Sequence, residues 1–176
     1  MRNSFFIADP HFNHSNIIKH CNRPFSCVEE MDETMIENWN AVVTSNSDDV
    51  YLLGDFVFYS RWIVTDPAGI FARLRGRKYL IKGNHDRDKT FRLPWEWVKD
   101  TCFLKHLNQE GIWLSHYPHR SWRNSFHGSW HLYGHNHGNM PPYGKSFDVG
   151  VDCWNFTPVA FEQIDAKMQT LEGFVG

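Results

Sequence analysis

No stretch of the 176-residue sequence is long and apolar enough to cross a bilayer, and none has the hydrophobic core of a signal peptide. Cysteine is sparse. Cys21, Cys27, Cys102 and Cys153 form no C-x-x-C pair, and the chain is large enough to build a core without disulfides, which suits a reducing compartment. Neither sign of charge dominates: 18 Lys and Arg stand against 20 Asp and Glu, for a formal net charge of -2. Bulk attraction to nucleic acid or to an acidic membrane is therefore not expected, and an anionic substrate has to be drawn by a local site. There is no internal repeat and no low-complexity tract. These absences lead us to expect a soluble, cytoplasmic protein with one domain over residues 1–176. What the chain does have is histidine and tryptophan, 11 and eight of them. Several of the histidines fall two residues apart.

Short apolar runs alternate with helical patterns through the first half. Ser4 to Ala8 reads as a buried strand ended by Pro10. A short helix is expected over Ile17 to His20. Ser26 and Glu29 have the spacing of a capping box, and the apolar positions Met31, Met35, Ile36, Trp39 and Val42 or Val43 predict an amphipathic helix from Val28 to Val43. That stripe is accounted for by packing. Val50 to Leu53 is a second strand. Asp66 and Pro67 open a helix reaching about Leu74, and Lys78 to Ile81 forms a third strand, parallel to the second through a right-handed crossover. The second half is richer in strands: Cys102 to Leu107 and Ile112 to Leu114 as a hairpin, then Trp130 to Tyr133, Ser146 to Val151, and a strand or short helix over Thr157 to Ile164.

Polar residues recur where these strands end. Asp9 and His11 follow the first, Asp55 the second, Asn84, His85 and Asp86 the third, His116 the hairpin, and His135 with His137 the strand after it. Taken singly, each is also an ordinary polar turn. Taken together they place oxygen and nitrogen ligands at five strand ends, where α/β folds put chemistry. The series D-P-H (9–11), G-D (54–55), G-N-H-D (83–86), S-H (115–116) and G-H-N-H (134–137) resembles the calcineurin-like metallophosphoesterase superfamily, and within it the compact bacterial and phage-type phosphoesterases. Ser115 stands where many members carry glycine, which leaves the ligand after it intact.

The resemblance implies an α/β fold, a four-layer αββα sandwich of two mixed β-sheets flanked by helices. It implies two divalent transition-metal ions. One would be held by Asp9, His11, His137 and a shared Asp55, the other by Asp55, Asn84, His116 and His135. Imidazole and oxygen donors without thiolate suit Mn, Fe, Zn, Co or Ni, with Mn favoured. The implied activity is hydrolysis of a phosphomonoester or phosphodiester, nucleotide-like esters included, by water activated between the ions. His85 would face the leaving oxygen and Asp86 would fix the His85 tautomer. His14 and Arg23 are candidates for holding the substrate phosphate. Arg120 and Arg123 are further candidates, and Trp122 or Trp130 would offer a flat face to a base; each of these also reads as an ordinary surface or core residue. His20, His106, His119, His127 and His131 gain no ligand role from their spacing. The alternative is a scaffold that keeps the fold and metal but hydrolyses nothing.

Overall fold

Three apolar strands lie side by side at the centre of the first sheet in the computed structural model, which describes residues 3–60, 66–105 and 107–174. They are β1 (Ser4–Ile7), β2 (Asp49–Leu52) and β3 (Arg77–Ile81), all parallel, in register through Phe6, Tyr51 and Tyr79. Near-continuous apolar character is what a parallel strand covered on both faces requires. His106 lies outside the described residues.

The period of two sends alternate residues to two different cores. Phe5, Ile7, Val50, Leu52 and Leu80 pack against Met31, Met35, Ile36 and Trp39 of α2 (Val28–Val42), with α1 (Ser15–His20) and α3 (Pro67–Arg73) on the same side. Phe6, Ala8, Tyr51, Leu53, Tyr79 and Ile81 face the second sheet. Asp66 caps α3 as expected, its Oδ1 accepting from the Gly69 amide at 3.0 Å, with Pro67 the first helical residue. The cap of α2 is shifted by one residue. Cys27 takes the cap position, and Glu30 rather than Glu29 reaches back, accepting from the Ser26 amide at 2.7 Å and from its hydroxyl at 2.6 Å.

A one-turn helix, α4 (Asp88–Phe91), follows β3; its four residues are too few to show a period in the sequence. β4 (Val98–Lys99) then adds to β3. The expected hairpin is formed by β5 (Thr101–Leu104) and β6 (Ile112–Ser115). β7 (Trp130–Tyr133) and β8 (Ser146–Asp148) extend it in parallel. Near the carboxyl terminus, β9 (Val159–Ala160) pairs antiparallel with β1 and runs into α5 (Phe161–Gln169). The result is two mixed sheets, β4-β3-β2-β1-β9 and β5-β6-β7-β8, face to face and flanked by helices. The outer face of the second sheet is covered by the loop after β6, where Trp122 and His119 lie over His131.

Both sheets turn their strand ends to one edge. There Ala8 bridges to Gly150: its amide donates to Val149 O at 3.1 Å and its carbonyl accepts from Val151 N at 3.0 Å. No helix among the described residues is long and apolar enough to cross a membrane.

Candidate metal centre

Five of the strand-end residues bend the chain in the same uncommon way. Asp9, His11, Asp55, His135 and His137 have φ of 55°, 51°, 59°, 69° and 49°, in the left-handed region that side chains other than glycine rarely enter. Each costs roughly 1–3 kcal/mol and persists only where the surroundings over-determine it. Backbone bonds between the loops do this. Asp9 N donates to Gly54 O at 3.1 Å, and His11 N to Asp55 O at 3.0 Å.

The two aspartates tie one loop to the next and keep one oxygen free. Asp9 Oδ2 accepts the His135 amide at 2.7 Å, while its buried Oδ1 has no hydrogen-bond partner among the described residues. Asp55 Oδ1 accepts the His85 amide at 2.8 Å, and its Oδ2 lies 3.5 Å from His11 Nε2 and 3.5 Å from His116 Nε2. The approach is close enough to demand glycine. A Cβ on Gly83 would stand 2.1 Å from Asp55 Oδ1, and one on Gly134 would stand 2.5 Å from Asp9 Oδ2.

Two of the three groups able to hold a cation among the described residues bring these strand ends together, their ligand atoms within 4.8 Å of one another: first Asp9, His11 and His137, and second Asp55, His116 and His135. In the second, His116 Nδ1 donates to Leu53 O at 2.8 Å. A carbonyl only accepts, so the proton sits on Nδ1 and Nε2 keeps its lone pair. That lone pair faces Asn84 Oδ1 at 2.9 Å, so acceptors from Asn84, Asp55 and His116 converge on one space. Burial, followed by the charges of Asp148 and Asp55, holds the Asp9 carboxyl well above the usual carboxylate range. Burial, followed by His137 and Arg23, holds the His11 imidazole well below its ordinary value, and neither of its ring nitrogens has a hydrogen-bond partner among the described residues. Converging acceptors, an unpartnered carboxylate oxygen and a neutral unpartnered imidazole are what bound divalent cations satisfy. The donor set fits such ions.

No protein-family profile matches the chain. Its sequence is 38% identical over 172 residues to the uncharacterized protein MJ1445 of Methanocaldococcus jannaschii, covering 93% of this chain and 90% of that protein. The chain belongs to the family of that protein. The gene 66 protein of Mycobacterium phage L5 is a more distant relative, 28% identical over 185 residues and matched over 88% of each chain. Among solved structures, AQ665 of Aquifex aeolicus, a protein of unknown function, superposes with a TM-score of 0.75 at 24% identity, over 95% of this chain and all of that one. YfcE, a phosphoesterase from E. coli, superposes with a TM-score of 0.52 at 15% identity, over 84% and 78%. The family therefore has a phosphoesterase-like fold.

The remaining expected residues divide. His85 is half-buried beside the first group, its ring 5.2 Å from that of His11 and 6.3 Å from that of His14. His14 is stacked on Phe58 at 3.8 Å, its Nδ1 buried without a partner, and burial followed by the proximity of His85 lowers its pKa to about 4. Asp86 does not orient the His85 ring. Its Oδ2 accepts from Asp55 N at 3.0 Å and Gly83 N at 2.8 Å and its Oδ1 from Phe56 N at 3.0 Å, so the carboxylate is occupied in stapling the β2 and β3 loops together. Arg23 does not reach for a substrate either. Its guanidinium is buried, donating to Pro10 O and Asp9 O at 2.9 Å each and making a two-pronged pair with Asp152 at 2.8 and 2.9 Å.

Asp152 is the participant that the sequence pattern missed. Its Oδ2 accepts from His137 Nδ1 at 2.7 Å, which leaves His137 Nε2 free to coordinate. Burial works to raise its pKa, but the bonds from His137 and Arg23 prevail and hold it below the usual range. The available signal was D-V-G-V-D (148–152), two carboxylates just past a further strand. Cys21 lies within reach of His137 and Asp152. Burial pushes its thiol up to about 11, and Asp152 is already engaged by Arg23 and His137, so this third group has no free carboxylate.

Proposed function

We propose that this chain is a calcineurin-like metallophosphoesterase, a dinuclear-metal-dependent hydrolase of phosphomonoesters or phosphodiesters, nucleotide-like esters included. The observation that carries the reading is the place of Asp55 Oδ2, 3.5 Å from an imidazole of each group, from which this carboxylate would be shared by both. Asp9, His11, Asp55 and His137 would hold one ion, and Asp55, Asn84, His116 and His135 the other. The donors suit Mn, Fe, Zn, Co or Ni, with Mn the first choice. A pair of divalent ions supplies a lowered pKa for bound water and offsets charge on a phosphoryl group.

The chain's own residues do the rest. His85, anchored through its amide to Asp55 Oδ1, keeps its half-buried ring at the mouth and delivers a proton to the leaving oxygen. His14, neutral above about pH 4, offers its Nδ1 to the phosphate or to the His85 ring. Arg23 acts at one remove, fixing the backbone of Asp9 and Pro10. Four unpaired cysteines fit a reducing setting, and we place the protein in the cytoplasm.

The test is metal analysis together with turnover of bis-p-nitrophenyl phosphate in added Mn. Two ions per chain with turnover are expected; one ion and no turnover would replace the enzyme by a metal-holding scaffold. His85→Ala should slow alkyl phosphate esters by about 10²–10⁴-fold. p-Nitrophenyl esters, whose leaving group needs no proton, should lose much less, and equal losses would remove the acid role.

A further inference from the structure

Between Gly111 and Phe147 the chain holds no Asp or Glu, although 20 acidic residues are spread over the rest. This stretch carries the ligand candidates His116, His135 and His137 at the site edge, and its loops cover the outer face of the second sheet. It also carries Tyr117, Phe126, Met140 and Tyr143, which are all the large hydrophobic side chains exposed among the described residues. Phe174 adds a ring to this face, 5.1–5.4 Å from those of Trp122, Phe126 and Tyr143, with Glu172 two residues before it. A stretch without acid that carries every exposed large hydrophobic side chain among the described residues is unusual in a protein of net charge -2.

The surface starts at the metal centre. The Tyr117 ring lies 4.6 Å from that of His135 and 5.0 Å from that of His116. Next to it is a groove of about 250 Å³, lined by Pro118, His119, Arg120, Met140, Pro142 and Tyr143. The Arg120 guanidinium rests on the Tyr143 ring at 4.9 Å, and that of Arg123 rests on Phe103, also at 4.9 Å. Both arginines are exposed, and among the described residues they rest on rings rather than in ion pairs, so their N–H groups remain for an anion. Lys145 is already engaged, donating to Met168 O at 2.6 Å. Phe103 is paired with Trp113 within β6, whereas Tyr117 lies beyond the end of that strand, so Arg123 sits back along the sheet from the site edge. Glu110 sits at the far edge, near Gly128. A surface that extends this far from the ligand histidines suits a strand better than one nucleotide.

We propose that this face binds single-stranded nucleic acid, with bases stacked on the exposed Tyr117 ring and on the Arg120–Tyr143 pair and phosphates on Arg120 and Arg123, leading a phosphodiester to the metal centre. Exposed ring faces select unpaired bases, whose own faces are free to stack. That the strand is also the substrate rests on the phosphoesterase reading; that it binds does not.

The test is fluorescence anisotropy of a fluorescein-labelled ten-residue oligothymidylate with the full chain in EDTA, where nothing is cleaved. Binding should weaken with salt with a log–log slope of about -1.4, from two phosphate contacts at roughly 0.7 each. The double variant Arg120→Ala/Arg123→Ala should flatten that slope. Tyr117→Ala and Tyr143→Ala should each weaken binding roughly tenfold. All four side chains are exposed, so a melting temperature equal to that of the parent identifies variants that remain folded. No binding, or binding indifferent to these variants, overturns the proposal. Thymidine monophosphate binding as tightly as the oligomer would replace the strand by a nucleotide, and equal affinity for a blunt duplex would remove the stacking. Turnover of bis-p-nitrophenyl phosphate is scored separately: oligomer binding without turnover upholds the face and sinks the catalytic reading, and turnover without oligomer binding does the reverse.

Discussion

The two ligand groups have the same make-up, a carboxylate and two imidazoles, but different backing. Behind His137 stands a charged relay in which Asp152 takes the Nδ1 proton at 2.7 Å and is itself gripped by the buried Arg23. Behind His116 the hydrogen bond runs to a neutral carbonyl, Leu53 O at 2.8 Å, and the nearest carboxylate oxygen, Asp9 Oδ1, stays 3.9 Å from the same nitrogen. The first group is also surrounded by acid: Asp148 accepts from the Gly138 amide, and Asp32 accepts from the Asn13 amide between His11 and His14. The second opens to solvent through Asn84 and Tyr117, both exposed. One set of donor types is thus held by charge in one half and by backbone in the other. A carboxylate raises the basicity of the imidazole it holds more than a carbonyl does.

Removing the shared group should abolish the distinction altogether. With Asp55→Ala both groups lose a ligand, and metal content should fall below one ion per chain, with activity down by about 10²–10³-fold or more, read by elemental analysis and turnover. Asp152→Asn acts on one half only. It keeps the shape but weakens the hold on His137, so calorimetric titration should show one class of site weakened about 10–100-fold and the other unmoved; equal weakening of both would mean that the relay serves the fold as a whole.

The acid around the first group gives a pH signature. Burial pushes Asp32 up to about 7, against an ordinary value of 3.8. Between these values the folded chain binds more protons than the unfolded one, so this residue makes stability fall as pH rises from about 4 to 7, and the loss stays complete above that. Asp32→Asn removes the charge and should therefore help the metal-free protein more at pH 8 than at pH 5. At about 2–4 °C per kcal/mol, the difference in melting temperature between the two pH values should be a few degrees. The smallest effect belongs to Cys21→Ser. Cys21 stands outside the Asp9, His11 and His137 group, and the Asp152 beside it is engaged by Arg23 and His137, so metal affinity should change less than about threefold; a larger drop would make Cys21 a ligand.

What the sequence disclosed and what it concealed follow from the range of the interactions. Strand ends carrying Asp, His and Asn were legible because a strand, its last apolar residue and the polar group after it are neighbours in the chain. The crossover from β2 to β3 was legible for the same reason, through Asp66, Pro67 and the helix they open. Arg23 misled because its partner Asp152 is 129 residues away, so a buried ion pair looked like a cation free on a loop. Asp86 misled because its partners are backbone amides, which leave no mark in the residue types. The order of strands in the two sheets, and the bridge at Ala8 that joins their edges, depend on contacts of the same long range.

The aspartates that hold amides on neighbouring loops, Asp9 on His135 and Asp55 on His85, set when the centre is ordered. Each bond spans two strand ends, one of them across the two sheets, so the loops lose their freedom as the sheets dock. Their entropy is surrendered on folding rather than on metal uptake. Ions would enter a frame that already stands, and exchange of one metal for another would then proceed at the pace of ligand substitution, without the sheets coming apart.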